Sequence, residues 1–93
     1  MYAGDLNYYV ATTDGTASAG ACRLWGYVIV SDGSNAGTVS FLDGGSGGTQ
    51  KWYDSVLATA GATTRFEFPQ PLKFGTNLYL DVTNIGTISL LIG

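Results

Sequence analysis

The seven acidic side chains of this sequence are its first candidates for acid–base chemistry, because it contains no histidine. Without an imidazole there is no Ser-His-Asp or Cys-His nucleophile and no imidazole metal ligand. Glycoside hydrolysis needs two carboxyl groups facing each other across a cleft. Asp54 and Asp81 fall on separate expected strands, and Glu67 stands two residues from Arg65, so spacing assembles no such pair. The acids read as solvated charges or members of surface ion pairs. The single cysteine, Cys22, excludes an internal disulfide and a thiolate zinc site. With no base to activate it, it reads as a small buried or half-buried residue. No catalytic, cofactor-binding or metal-binding residue is expected, and the chain does not read as an enzyme.

Two further features could bind rather than react. Asp43-Gly44-Gly45-Ser46-Gly47-Gly48-Thr49 invites comparison with a phosphate cradle or a calcium loop. A phosphate loop requires a Lys-Ser/Thr pair and a following helix, whereas Thr49-Gln50-Lys51 leads into a β-prone run. A calcium loop requires several oxygen ligands, and Asp43 is the one carboxylate here. The segment reads as a flexible hairpin loop. Trp25, Trp52 and Tyr53 could form a flat platform for a sugar, with Trp52 and Tyr53 the candidate glycan contacts. The competing assignment places such rings in the core or a protein interface.

These residues must be positioned by strands. Asp-Gly pairs at 14–15, 32–33 and 43–44 and the Pro69-Gln70-Pro71 run mark turns and breaks. Between them lie eight strand candidates: Tyr8–Thr12, Ala21–Ser31, Gly37–Asp43, Gln50–Ala58, Thr63–Phe68, Leu72–Phe74, Asn77–Thr83 and Thr87–Ile92. Alternation puts Leu78, Leu80 and Val82 on one face, Ile88, Leu90 and Ile92 on one face, and Phe66 and Phe68 opposite Arg65 and Glu67. Helical periodicity is absent. The pattern predicts an all-β fold, a single antiparallel β-sandwich of jelly-roll type, with a seven-stranded immunoglobulin-like arrangement as the alternative. Residues 1–21 read as an N-terminal strand or arm and residues 22–93 as the sandwich, one domain overall.

The strand Ala21–Ser31 is apolar at both parities. Leu24, Val28 and Val30 share one, and Arg23, Trp25, Tyr27 and Ile29 the other. One face of such a strand meets a core and the other meets something besides water. Arg23, Trp25 and Tyr27, with Tyr8 and Tyr9 of the N-terminal segment, are therefore the interface candidates.

Ninety-three residues make one small domain. Charged residues are 12% of it, against roughly 25% in an average domain, and 45% are hydrophobic, which opposes disorder. A net charge of −3 opposes binding to a phosphate backbone, so no nucleic-acid partner is expected. No apolar run is long enough for a membrane-spanning helix, and Met1–Asp5 lacks the basic start and apolar stretch of a signal peptide. A reducing cytoplasm is the expected compartment of synthesis.

From Cys22 onward the chain resembles small proteins encoded by tailed bacteriophages, especially those of marine and cyanobacterial hosts. The resemblance is carried by Cys-Arg-Leu-Trp-Gly at 22–26, Gly-Thr-Val-Ser-Phe-Leu-Asp-Gly-Gly at 37–45, Phe-Pro at 68–69, Leu-Lys-Phe at 72–74, Asn-Leu-Tyr-Leu at 77–80 and Asn-Ile at 84–85. It covers about three quarters of the chain, and residues 1–21 match only loosely. It implies a capsid decoration, or cement, protein with a β-sandwich fold and no catalytic residues. The expected partners are then the major capsid protein and further copies of the chain, most simply as a trimer, on the outside of a phage head assembled in the host cytoplasm. A glycan-binding module on a phage tail or surface is the alternative.

Overall fold

The computed structural model describes residues 7–93; residues 1–6, the start of the segment read as strand or arm, lie outside the described residues. Eight strands follow in order: β1 (Asn7–Ala11), β2 (Gly15–Ser18), β3 (Cys22–Ser31), β4 (Gly37–Asp43), β5 (Thr49–Val56), β6 (Thr63–Phe74), β7 (Leu78–Thr83) and β8 (Ile85–Ile92). They form two four-stranded sheets, ordered β1-β8-β3-β6 and β2-β7-β4-β5.

This order has a simple origin. β4 pairs with β5, β3 with β6, β2 with β7 and β1 with β8, all antiparallel. The chain is one long hairpin, its tip at the glycine loop, rolled so that alternate pairs enter opposite sheets. The pairs β3–β8 and β4–β7 then close each sheet. That is the jelly roll expected from the strand pattern.

The inward faces carry the alternation read from the sequence. Leu24, Ile29, Val39, Phe41, Phe74, Leu78, Leu80, Ile88 and Leu90 are fully buried. Each such side chain contributes about 1.5–3 kcal/mol on leaving water. The β7–β8 corner is a single residue, Asn84, in the left-handed region at φ 54°. It lies directly over Gly37, where a Cβ would sit 2.5 Å from the Asn84 carbonyl oxygen, so only glycine lets β4 pass beneath the corner.

Three features depart from the sequence reading. Gly15–Ser18 is a strand although Gly-Thr-Ala-Ser carries no strand signal; its place is dictated by pairing with β7, and Ala17 packs against the core. Thr63–Phe68 and Leu72–Phe74 are parts of one strand, β6. Phe68–Pro71 loop out between the paired residues Glu67 and Leu72, so the prolines interrupt the ladder without ending the strand. The third is a β-bulge in β3. Leu24 and Gly26 face the successive β8 residues Ile92 and Leu91, leaving Trp25 as the extra residue. The bulge flips the parity, so Leu24, Tyr27 and Ile29 all point into the core. The grouping of Leu24 with Val28 and Val30 is corrected accordingly.

Candidate functional site

The outer face of the β1-β8-β3-β6 sheet can be built row by row from the register. One row runs Tyr8, Leu91, Gly26, Glu67, and the next Val10, Ser89, Val28, Arg65. Trp25, pushed out by the bulge, stands beside the first row. All of these but Val10 line an open groove of about 340 Å³, with Tyr8, Trp25, Val28 and Leu91 along its length and Arg65 and Glu67 at the β6 rim. Tyr8 is 80% and Val10 63% exposed, so the apolar surface continues to the β1 edge. Val28, Val30 and Leu91 are half-buried although nothing of the opposite sheet covers them.

The opposite outer face has a different chemistry. Asp81, Ser40 and Tyr53 form one row, and Thr83, Thr38 and Ser55 another. Tyr53 is 53% exposed. This face offers mostly hydroxyls and one carboxylate, with Thr16, Tyr79 and the covered Leu42 forming a third row.

The interface candidates therefore separate. Tyr8, Trp25 and the exposed Arg23 lie on the surface, with Tyr8 and Trp25 in the groove. Tyr9 alternates with Tyr8 and packs its half-buried ring against the core. Tyr27, at 3% exposure, offers no surface to a partner; the bulge at Trp25 turned it inward. The residues that sequence reasoning passed over are Val28 and Leu91. Leu91 carried a signal, since it is the apolar member of the otherwise polar set Thr87, Ser89 and Leu91.

Trp52, a candidate glycan contact, is not a free platform. β5 is an edge strand whose inward residues are Trp52, Asp54 and Val56, paired with Phe41, Val39 and Gly37. The Trp52 ring meets Phe66 at 5.2 Å and Phe68 edge-on at 4.9 Å between centroids. Its Nε1 donates to the Tyr27 hydroxyl at 2.7 Å, and that hydroxyl donates to Asp54 Oδ2 at 2.5 Å. Burial, and then the bond to Asp54, push the Tyr27 hydroxyl well above the usual phenol range, so it remains a donor at neutral pH. The Thr64 hydroxyl donates to the Ser55 carbonyl at 2.6 Å, and Lys51 Nζ donates to the Lys73 carbonyl at 2.6 Å. These links lock β5 to β6 where the two sheets would otherwise splay.

Four of the acids also hold the fold as hydrogen-bond acceptors, a role the sequence reading did not assign them. Asp54 receives Tyr27. Asp14 Oδ1 receives the Val82 amide at 2.7 Å, standing in for a strand partner just beyond β2. Asp32 Oδ1 receives the amides of Ser34 and Asn35 at 2.8 and 2.9 Å. Asp43 receives those of Gly75, Thr76 and Asn77 at 2.9, 2.9 and 3.3 Å. Asn77 Oδ1 in turn receives the amides of Gly44 and Gly45 at 3.0 and 2.9 Å. The glycine loop read as flexible is thus clamped reciprocally to the β6–β7 connection, and it holds neither a phosphate nor a calcium motif. Among the described residues no group of three or more His, Cys, Asp or Glu could hold a metal ion.

The backbone bonds hold the Asp43 and Asp32 carboxyls below the usual carboxylate range. A depressed folded-state value means that the unfolded chain binds protons first as pH falls. Their stabilisation is present above about pH 4 and is lost as pH drops through the lower folded values. Thermal unfolding followed by circular dichroism should show Tm falling below pH 4. The fall should be shallower in Asp43→Asn, which starts from a lower Tm at neutral pH. An acid limb of unchanged depth in that variant would remove Asp43 from this account.

Cys22 is half-buried. Burial pushes its thiol up, and the nearby Asp43 charge adds to this against an opposing bond from Ser18, so the reactive thiolate is scarce at neutral pH. No protein-family model, curated protein or solved structure matches the chain.

Proposed function

We propose that this chain is a non-enzymatic structural protein that works by adhesion, a decoration protein held on the outside of a phage head through the outer face of its β1-β8-β3-β6 sheet. The observation that carries this reading is the asymmetry of the two outer faces. One presents Tyr8, Val10, Trp25, Val28 and Leu91 in adjoining rows, and the other presents mainly hydroxyls, with Leu42 covered and Tyr53 its exposed ring. Apolar rows on one outer face of a small sandwich mark an interface. The molecule measures 35 × 30 × 18 Å, so its broad face suffices for the roughly 800 Å² per partner of a standard interface. The phage motif resemblance supplies the setting, with the major capsid protein and further copies of the chain as partners. The carboxylates support it too, because Asp14, Asp32, Asp43 and Asp54 are engaged in holding turns and edges.

Val28→Glu tests the reading. The substitution puts a charge in the centre of the groove without entering the core. Wild-type protein should co-sediment with empty phage heads, and Val28→Glu should lose at least ten-fold in affinity while keeping its Tm within a few degrees. Equal binding by both proteins would end the assignment of this face. The row Asp81, Ser40, Tyr53, with its exposed tyrosine, favours the glycan-binding alternative. Retention on host polysaccharide that depends on Tyr53 and is indifferent to Val28 would establish that alternative instead.

A further inference from the structure

The two sheets end in four edge strands, β1 and β6 in one and β2 and β5 in the other. An edge exposes unpaired backbone N–H and C=O groups, and folds blunt it with charge, proline, bulges or shortness. β6 carries Pro69 and Pro71, the looped-out Phe68–Pro71 segment, and the charges of Arg65, Glu67 and Lys73. β5 carries Lys51 at a register break opposite Phe41 and Leu42. β2 is four residues long and shifts register between Thr16 and Ser18. β1 has none of these devices. Its five residues, Asn-Tyr-Tyr-Val-Ala, hold no charge and no proline, and they pair with β8 in unbroken register from Asn7↔Ile92 to Ala11↔Ile88. Among the described residues β8 is its only partner strand.

We infer that β1 is the contact between copies of this chain, pairing antiparallel with β1 of a second copy about a two-fold axis through Tyr9. The occupant follows from the chemistry, since a row of free amides and carbonyls is satisfied by another strand, as in β-augmentation. That the strand is β1 itself follows from its sequence. Centring the pair on Tyr9 sets Tyr8 opposite Val10 of the second copy, and Val10 opposite its Tyr8. These are aromatic–β-branched cross-strand pairs on the outer face, between the two most exposed apolar side chains of that face, at 80% and 63%. A one-residue slip would turn them to opposite faces. An isologous contact of this kind closes at two copies, where the sequence alone suggested three. The dimer joins two sheets into one of eight strands and doubles the length of the adhesive face. This inference rests on the proposed self-association and assigns it to an edge.

Register-specific cross-linking tests it. In a Cys22→Ser background, Tyr8→Cys and Val10→Cys chains are prepared separately and mixed, then oxidised mildly. Directly opposed Cα atoms lie within the roughly 4.4–6.8 Å that a disulfide spans. The mixture should give several-fold more covalent dimer than either variant alone, because position 8 faces position 10 and not itself. In parallel, hydrogen exchange of the wild-type amides at 8–10 should slow as protein concentration rises. Cross-linking no greater in the mixture than in the single variants, with exchange independent of concentration, overturns the inference. If that result comes with a trimer by light scattering, or with a monomer that still binds heads through Val28, the adhesive reading survives and only the edge contact falls. A monomer that also ignores heads removes both.

Discussion

Leu80→Ala should lower the unfolding free energy by about 2–5 kcal/mol, the cost of deleting buried methyl groups and leaving a cavity. Leu80 is fully buried. It sits in the middle of β7, with Gly15 of β2 on one side and Phe41 of β4 on the other. Phe41 is itself held at 4.9 Å from the Tyr27 ring. β7 is itself held between two strands, and β4 beyond it is paired on both sides, so the site has little freedom to collapse and the loss should fall toward the upper part of that range. Urea unfolding monitored by tryptophan emission would measure it as a lower midpoint with an unchanged m-value. A change below about 0.5 kcal/mol, typical of surface positions, would mean that the inward face of β7 is assigned wrongly.

Trp52→Ala carries the second large expectation, a loss of about 3 kcal/mol, at the low end for a deleted aromatic because the ring is half-buried. The substitution removes the surface against which Phe66 and Phe68 pack and the donor to Tyr27, loosening β5 from β6 at the open side of the sandwich. Trp52→Phe separates the two contributions. It keeps ring contacts and loses only the Nε1 donor, while the Tyr27 hydroxyl still donates to Asp54, so its cost should be about 0.5–1.5 kcal/mol. A Trp52 that served to stack on sugars would behave otherwise: alanine there would leave stability untouched and abolish a binding signal.

Much of the fold is legible because burial on one side of a strand writes itself at period two. Leu78-Tyr79-Leu80-Asp81-Val82 and Ile88-Ser89-Leu90-Leu91-Ile92 state their inward faces directly, and the observed burial follows them. At Asp32-Gly33 the pair marks a turn for the physical reason that made it legible: the aspartate caps the amides of Ser34 and Asn35 and Gly33 takes a positive φ, as Gly44 also does. What each aspartate bonds is less legible. The partners of Asp14 and Asp43 are 68 and up to 34 residues distant, set by how the long hairpin rolls.

The site is half legible. Apolar residues at both parities of β3 signalled a second apolar face, and Trp25 and Tyr8 lie on it. The one-residue bulge then reverses which parity is which, so Tyr27 goes to the core while Val28 takes the surface. A bulge leaves no periodic trace in the bulged strand itself. It is visible only against the partner, where Ile92 and Leu91 face Leu24 and Gly26. β2 is hidden for a related reason. Its pairing with β7 satisfies the backbone, while Gly-Thr-Ala-Ser contributes little apolar surface of its own.

The central claim is that the molecule acts through one covered sheet face and transforms no substrate. Electron cryomicroscopy of the intact phage particle proposed to carry the chain tests it most directly. The expected image places the sandwich on the outer surface of the head, with Trp25, Val28 and Leu91 pressed against the shell and the Ser40–Tyr53 face turned to solvent. A particle without the chain, or one in which that apolar groove faces open water, would contradict the account.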